Sequence, residues 1–364
     1  MDRLLAWRDR LLASRRFQRW ASRFPLTRPI AKRRTRELFD LCAGFVYAQT
    51  LSACVQLRLF EILSDGPGSA ADLSGRLGLS VEATDRLLNA AAALDLVERR
   101  GLDRFGLGIL GAAMLGNPGV AAMVAHHAML YRDLADPVAL LRGEAADTAL
   151  SGFWPYATGE GPSAEAAVAP YSRLMSLSQP MIADLVLDAY PVARHRTLLD
   201  VGGGDGTFLV AASRRAPQLD LVLFDLPPVA ALADARFARD GVSRRARAVG
   251  GSIFADPLPT GSDLISLVRV VHDHDDGPAL AILRAVRAAM PEGGTLLLAE
   301  PMAETGGAEK TAAYFAFYLM AMGSGRPRSA AELQALLTRA GFSQIRRRPT
   351  ANPALVGLIV AKAA

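Results

Sequence analysis

Apolar positions recur at helical spacing through the first third of the chain. In residues 1–36 they are Leu4, Leu5, Trp7, Leu11, Leu12, Phe17 and Trp20, with arginine in most of the gaps, which predicts short basic amphipathic helices. Helical spacing continues from Glu37 to about Leu63, and Leu41 to Leu57 carries no charge, although Gln49, Thr50, Ser52 and Gln56 interrupt it. A helix apolar on all sides must be covered, most simply by a second copy of itself. The stretch Ser69 to Leu79 is followed by Ser80 as N-cap of a helix to Leu96, then by a predicted hairpin, Val97 to Leu107, turning at Gly101. Helix, turn, helix and β-ribbon make a winged helix. Residues 116–190 read as helical linkers punctuated by Pro118, Pro137, Pro155, Pro162, Pro170 and Pro180. Their Trp154, Tyr156 and Tyr171 suit either a core or a cleft between domains.

After Arg196 the pattern changes to strands alternating with helices. Strands are predicted at Thr197–Gly202, Leu219–Asp225, Arg245–Ile253, Asp263–Val271 and Thr295–Glu300, a parallel sheet covered by helices. Phe342–Arg348 and Leu355–Lys362, separated by a short Pro/Asn turn, should pair as an antiparallel hairpin at the sheet edge.

The chain has 364 residues, 51% of them hydrophobic, which excludes disorder, collagen and a disulfide scaffold. Cys42 and Cys54 lie too far apart along one helical stretch to bond, so a reduced, cytoplasmic protein is expected. No uninterrupted apolar run reaches the roughly 18 residues of a membrane span, and Met1-Asp2-Arg3 does not open a signal peptide. Net charge is +5, yet residues 1–36 hold twelve Lys/Arg against Asp2 and Asp9, so the arm is +10 and the remainder −5. Such an arm fits an anionic membrane surface or a partner subunit. The acidic body argues against nucleic acid, as does a recognition helix offering Arg86 and Asn89 beside Glu82 and Asp85.

Asp200-Val-Gly-Gly-Gly-Asp-Gly206 falls where the first predicted strand meets its helix, with Asp200, Gly202, Gly204 and Gly206 in an acid-x-Gly-x-Gly-x-Gly pattern. Glycine there lets the backbone approach a nucleotide-like ligand. A dinucleotide fingerprint would need its third glycine at position 207, which is Thr207. Asp225, nineteen residues after Gly206, ends the second strand, where a carboxylate can accept both ribose hydroxyls. His272, at the end of the fourth strand, is either a proton acceptor or a strand-end histidine making one hydrogen bond.

These residues resemble the class I S-adenosylmethionine-dependent methyltransferases, and residues 37–364 resemble their small-molecule O-methyltransferase branch, which includes the caffeate and acetylserotonin enzymes. Phe224-Asp-Leu-Pro227 is similar to that family's post-loop motif. Gly250-Gly-Ser-Ile-Phe254 is similar to its adenine-side segment, and Val271-His-Asp-His-Asp275 to its catalytic His-Asp-Trp segment. Ser252 stands where the family has Asp, and His274 where it has Trp. Trp20–Arg28, Leu130–Pro137 with Leu141-Arg-Gly143, Phe153–Tyr156 and Tyr171–Met175 narrow the resemblance to the purple-bacterial hydroxycarotenoid O-methyltransferases of the demethylspheroidene type.

The resemblance implies an α/β protein: a Rossmann-like seven-stranded methyltransferase domain (191–364) behind a basic arm (1–36), an α-helical winged-helix dimerisation domain (37–115) and a cleft-lining helical linker (116–190). It implies S-adenosyl-L-methionine as cofactor, held by Asp200, Gly202, Gly204, Gly206, Asp225, Ser252, Ile253, Phe254, Arg269 and Met175. His272 is implied as catalytic base, oriented by Glu300, and no metal is expected. The family's second acid falls at Pro327; Asp273 could substitute for it or only cap the following helix, the cap being favoured, and His274 is expected to form pocket wall. His126 and His127 are expected in core or surface, His195 in solvent.

The implied reaction is methylation of the tertiary hydroxyl of an acyclic hydroxycarotenoid by a homodimer without nucleic-acid partners. It would take place in the cytoplasm or peripherally on the inner, photosynthetic membrane. The alternatives are a methyltransferase for a phenolic or polyketide hydroxyl, or a winged-helix ligand-sensing regulator with a vestigial methyltransferase domain.

Overall fold

The computed structural model describes residues 1–145, 147–153 and 165–364, with side chains in the last segment from residue 174 onward. Trp154, Pro155, Tyr156 and Pro162 lie outside the described residues, as do the side chains of Pro170 and Tyr171. The chain divides into two units, Met1–Gly116 and Asn117–Ala364.

The first unit opens with helices Asp2–Ala13 and Arg15–Arg23, almost wholly exposed. Phe17, Trp20 and Phe24 associate ring to ring there, with successive centroids 5.6 and 5.0 Å apart. The next helix, Arg28–Gln56, begins at Arg28 rather than Glu37 and ends where Arg58 turns left-handed, at φ 54°. Leu38, Phe39, Leu41 and Phe45 on it are each more than 60% exposed. By length and composition alone this helix could cross a bilayer, a property that the core helix of a soluble protein shares. Gln49, Thr50 and Ser52 break the run without lowering the mean hydropathy enough to matter.

The winged helix forms as its caps dictate. Ser69 and Asp72 close a capping box on Ala70–Leu77, and Ser80 Oγ accepts the Ala83 N–H at the start of Val81–Ala92. Val97–Arg100 pairs antiparallel with Arg104–Leu107 through a turn holding Gly101, and Gly68–Ser69 adds a third short strand. Cys54, Leu59, Phe60, Leu73, Leu77, Leu88, Val97 and Phe105 form its core. Arg86 is paired with Glu82 and Asn89 is bonded to Asp85, so both candidate base-reading side chains are engaged within their own helix.

The second unit is built on a seven-stranded sheet: β1 (Thr197–Val201), β2 (Asp220–Asp225), β3 (Ala246–Gly250), β4 (Leu264–Val268), β5 (Thr295–Glu300), β6 (Phe342–Arg348) and β7 (Gly357–Ala363). Their order is β3-β2-β1-β4-β5-β7-β6. β1 to β5 are parallel, and β7 runs antiparallel between β5 and β6, so the terminal hairpin extends the sheet rather than lying outside it. Alternate residues supply two cores. Leu198, Leu221 and Leu223 pack beneath Glu165–Ala189, Thr207–Arg215 and Pro227–Arg239, whereas Leu199, Val222 and Phe224 pack beneath Asp276–Ala289 and Ala330–Arg339.

A smaller cluster joins Leu130, Leu140, Leu150, Tyr318 and Leu319. His195 is buried rather than solvated: Tyr190 Oη lies 2.8 Å from its Nε2 and Asp263 Oδ2 2.9 Å from its Nδ1, an arrangement that closes the amino end of β1.

Candidate active site

Parallel strands present their carboxyl ends along one edge, and the crossover between β1 and β4 opens a crevice there. Gly202, Gly204 and Gly206 follow β1 at φ 69°, 60° and 81°, which only glycine adopts without strain, and a Cβ at Gly206 would strike the Phe237 ring. The loop carries its backbone over to β2, where Asp225 Oδ2 accepts the Gly204 N–H at 2.8 Å and Oδ1 accepts that of Leu226 at 2.7 Å. Burial pushes the Asp225 carboxyl up to about 6 against these two bonds. Beneath the loop Asp200 Oδ1 accepts from Ser266 at 2.6 Å, while Oδ2 is buried with no hydrogen-bond partner among the described residues; burial raises this carboxyl to about 7.

One cavity gathers most of the expected cofactor residues: Met175, Gly202, Gly204, Asp225, Ser252, Ile253, Phe254 and Arg269 all line it. Asp200 and Gly206 support the loop from behind. Acidic groups on its floor, a backbone approach at Gly204 and apolar walls from Met175, Ile253 and Phe254 fit a ligand combining ribose, a flat base and a cationic sulfur. Ser252 stands in place of the acid expected from the resemblance; its Oγ accepts the Phe254 N–H at 3.4 Å and its own N–H donates to Asp256 at 2.8 Å.

Three contributors were not legible beforehand. Asp205, within the glycine loop, binds Arg236 at 2.5 Å, Ser176 at 2.6 Å and Thr207 at 2.7 Å. Burial works to raise its carboxyl, but these bonds outweigh burial and hold it below the usual range. Ser176 lies on the helix that carries Met175, so Asp205 ties that helix to the loop. Gln179, one turn further along that helix in the same cavity wall, accepts from Arg269 at 2.5 Å.

β4 ends at Val268, Arg269 turns left-handed at φ 58°, and one turn of 3-10 helix, Val271–Asp273, follows. His272 is buried there, with Nδ1 2.5 Å from Glu300 Oε2 and Nε2 3.0 Å from Asp273 Oδ1. Glu300 also accepts the N–H groups of Val270 and Val271 through Oε1. Burial lowers the imidazole's proton affinity, but the Asp273 and Glu300 carboxylates outweigh it and raise His272 above its ordinary value. The expectation that Asp273 caps the next helix is corrected, because Asp275 holds the N-cap position and the Asp273 carboxylate faces His272 and the cavity. His274 lines the cavity wall.

A series of rings leads away from His272: Phe315 at 5.9 Å, Tyr314 at 5.1 Å from Phe315, and Tyr318 at 5.7 Å from Tyr314. His126 Nε2 pairs with Tyr318 Oη and His127 Nε2 with Tyr314 Oη, each at 2.8 Å, so four polar side chains satisfy one another. Burial lowers His126 to about 4 and also lowers His127, which leaves both imidazoles neutral at pH 7.

The O-methyltransferase domain family matches residues 131–343, and the O-methyltransferase dimerisation domain family matches residues 39–115. The demethylspheroidene O-methyltransferase of Cereibacter sphaeroides is 46% identical over 356 residues, 97% of this chain and 93% of that protein. That of Rhodobacter capsulatus is 42% identical over 358 residues, 97% of this chain and 88% of the relative. Among solved structures, human N-acetylserotonin methyltransferase in complex with S-adenosylmethionine shares the fold, with TM-score 0.77, 24% identity and coverage of 90% and 97%. The family match over residues 131–343 and the two relatives, 46% and 42% identical over 97% of the chain, show that this protein belongs to the O-methyltransferase family, whose methyl donor is S-adenosylmethionine.

Proposed function

We propose that this enzyme methylates the tertiary hydroxyl of an acyclic hydroxycarotenoid, of the demethylspheroidene or hydroxyneurosporene type, in carotenoid biosynthesis. The observation that carries the reading is similarity to two demethylspheroidene O-methyltransferases over 97% of the chain, connectors and arm included. The ring series from Phe315 to Tyr318 supports it. A conjugated chain lies well against aromatic faces, and the His126–Tyr318 and His127–Tyr314 pairs engage both phenol hydroxyls without a partner from the substrate.

Asp200, Gly202, Gly204, Gly206, Asp225, Ser252, Ile253, Phe254, Arg269 and Met175 hold the donor, which supplies a methyl group on a positively charged sulfur. His272 and Glu300 are the catalytic pair. A tertiary alcohol is far too weak an acid to ionise beforehand, so His272 must take its proton as the new oxygen–carbon bond forms. Glu300 holds the ring orientation and stabilises the imidazolium that results.

In this reading the chain comprises the arm (1–36), the dimerisation domain (37–115), a cleft-lining connector (116–190) and the catalytic domain (191–364). The dimerisation match covers the exposed apolar half of Arg28–Gln56, so a second copy, rather than lipid, covers it. The arm instead rests on the cytoplasmic face of the inner membrane. A long polyene resides in the bilayer, and each basic residue near an anionic leaflet contributes about 1 kcal/mol.

Transfer of a labelled methyl group tests both claims on a panel of hydroxycarotenoids and phenols, presented in detergent and in anionic vesicles, with and without residues 1–36. Hydroxycarotenoids should be preferred, and the truncation should slow only the vesicle-held substrate. Preference for phenols would overturn the substrate class, and equal rates from vesicles would leave the arm a dimer-packing element.

A further inference from the structure

Four consecutive carbonyls around His272 are all claimed by one short segment, Ser324 to Arg328. Val271 O accepts from Arg328 Nη1 at 2.9 Å and His272 O from the Arg326 N–H at 3.0 Å. Asp273 O accepts from Ser324 Oγ at 2.6 Å, and His274 O from Arg328 Nη2 at 2.7 Å. Gly325, at φ 84°, makes this approach possible, because a Cβ there would run into the His272 carbonyl oxygen. The Arg328 side chain is only 1% exposed, and its Nε donates to Asp276 Oδ1 at 2.9 Å, so its three nitrogens are each engaged.

We propose that Arg328 is a positioning residue for the proton acceptor: its guanidinium fixes the Val271–His274 backbone so that the His272 ring is held between Glu300 and Asp273. The proposal rests on the reading of His272 as acceptor. Glu300 anchors the start of the turn through the Val270 and Val271 N–H groups, whereas the turn's own closing bond at its far end, from the His274 N–H to Val271 O, is long at 3.4 Å. Arg328 spans both ends at once, from the Val271 carbonyl to that of His274. A planar fork can do this, whereas the single ammonium of lysine cannot replace both bonds. The segment that carries Pro327 in place of an acid therefore acts on the histidine through its backbone rather than on its ring.

A double-mutant cycle distinguishes this role from general support of the fold. Arg328→Ala should lower turnover by about 10²-fold, as a displacement near 1 Å at the reacting group does, with KM for the hydroxycarotenoid and cofactor affinity within about twofold of the parent. Combined with His272→Ala it should cost nothing further. Added guanidinium, at non-denaturing concentration, should restore part of the turnover of Arg328→Ala and none of that of the double variant. If Arg328→Ala does not fold, Arg328→Lys takes its place in the cycle. An equal loss from the Arg328 substitution with His272 present or removed, or a parallel loss of cofactor affinity, overturns the proposal alone. Near-parental turnover in His272→Ala overturns the acceptor reading first and the proposal with it.

Discussion

The carboxyl edge of the sheet is built in two ways on its two sides. On the β1–β2 side the work is done by backbone and by acids: the strand end and loop of residues 200–206, and Asp225, bonded directly to that loop. On the β4–β5 side it is done by side chains that converge from distant segments, with His272 meeting Glu300 and Arg328 reaching back to Val271 and His274. The first is suited to holding a large ligand, the second to moving one proton. Substitutions should therefore separate binding from turnover according to the side they touch.

The largest effect is expected on the proton side. His272→Ala should reduce turnover roughly 10²–10⁴-fold, the usual contribution of a positioned base, while calorimetry shows donor affinity retained. Turnover near the parent's would leave proximity as the whole mechanism and dissolve the division. A smaller effect is expected across the edge. Asp225→Ala should weaken donor binding by about 1.5–3 kcal/mol, the range for hydrogen bonds to a charged group, with turnover at saturating donor within a few-fold of the parent. Unchanged affinity would remove Asp225 from the donor site.

The same division explains what the sequence disclosed. The glycine pattern and its following acid were legible because their geometry is local: strand, left-handed loop and helix follow one another within a few residues. The seven strands were legible for the same reason, as runs of apolar residues between turns. Asp205 went unread because its role depends on Arg236 and Ser176, which only folding brings to it. Asp273 was misread as a cap because its neighbours in sequence suggested one, whereas its carboxylate is drawn to His272. Arg328 gave no signal at all, since a buried arginine is identified by the carbonyls it meets. His195 was misread in the same way, as Asp263 lies 68 residues away in the chain.

The smallest effect sharpens the proton side further. Burial alone would depress His272, yet Asp273 and Glu300 carry the balance above the ordinary value of 6.5. A base works only when unprotonated, so raising its proton affinity moves the onset of activity to higher pH. The profile of kcat/KM should thus rise with pH through a midpoint above 6.5. Asp273→Asn removes one of the two carboxylates and keeps the shape, so the midpoint should move to lower pH while Arg269, Glu300 and His274 continue to face the ring. Glu300→Gln should move it the same way, but with a fall in turnover, because Glu300 also holds the Val270 and Val271 N–H groups. A midpoint that stayed in place in Asp273→Asn would mean that the 3.0 Å contact at Nε2 does not govern the base. The ring would then answer to Glu300 alone.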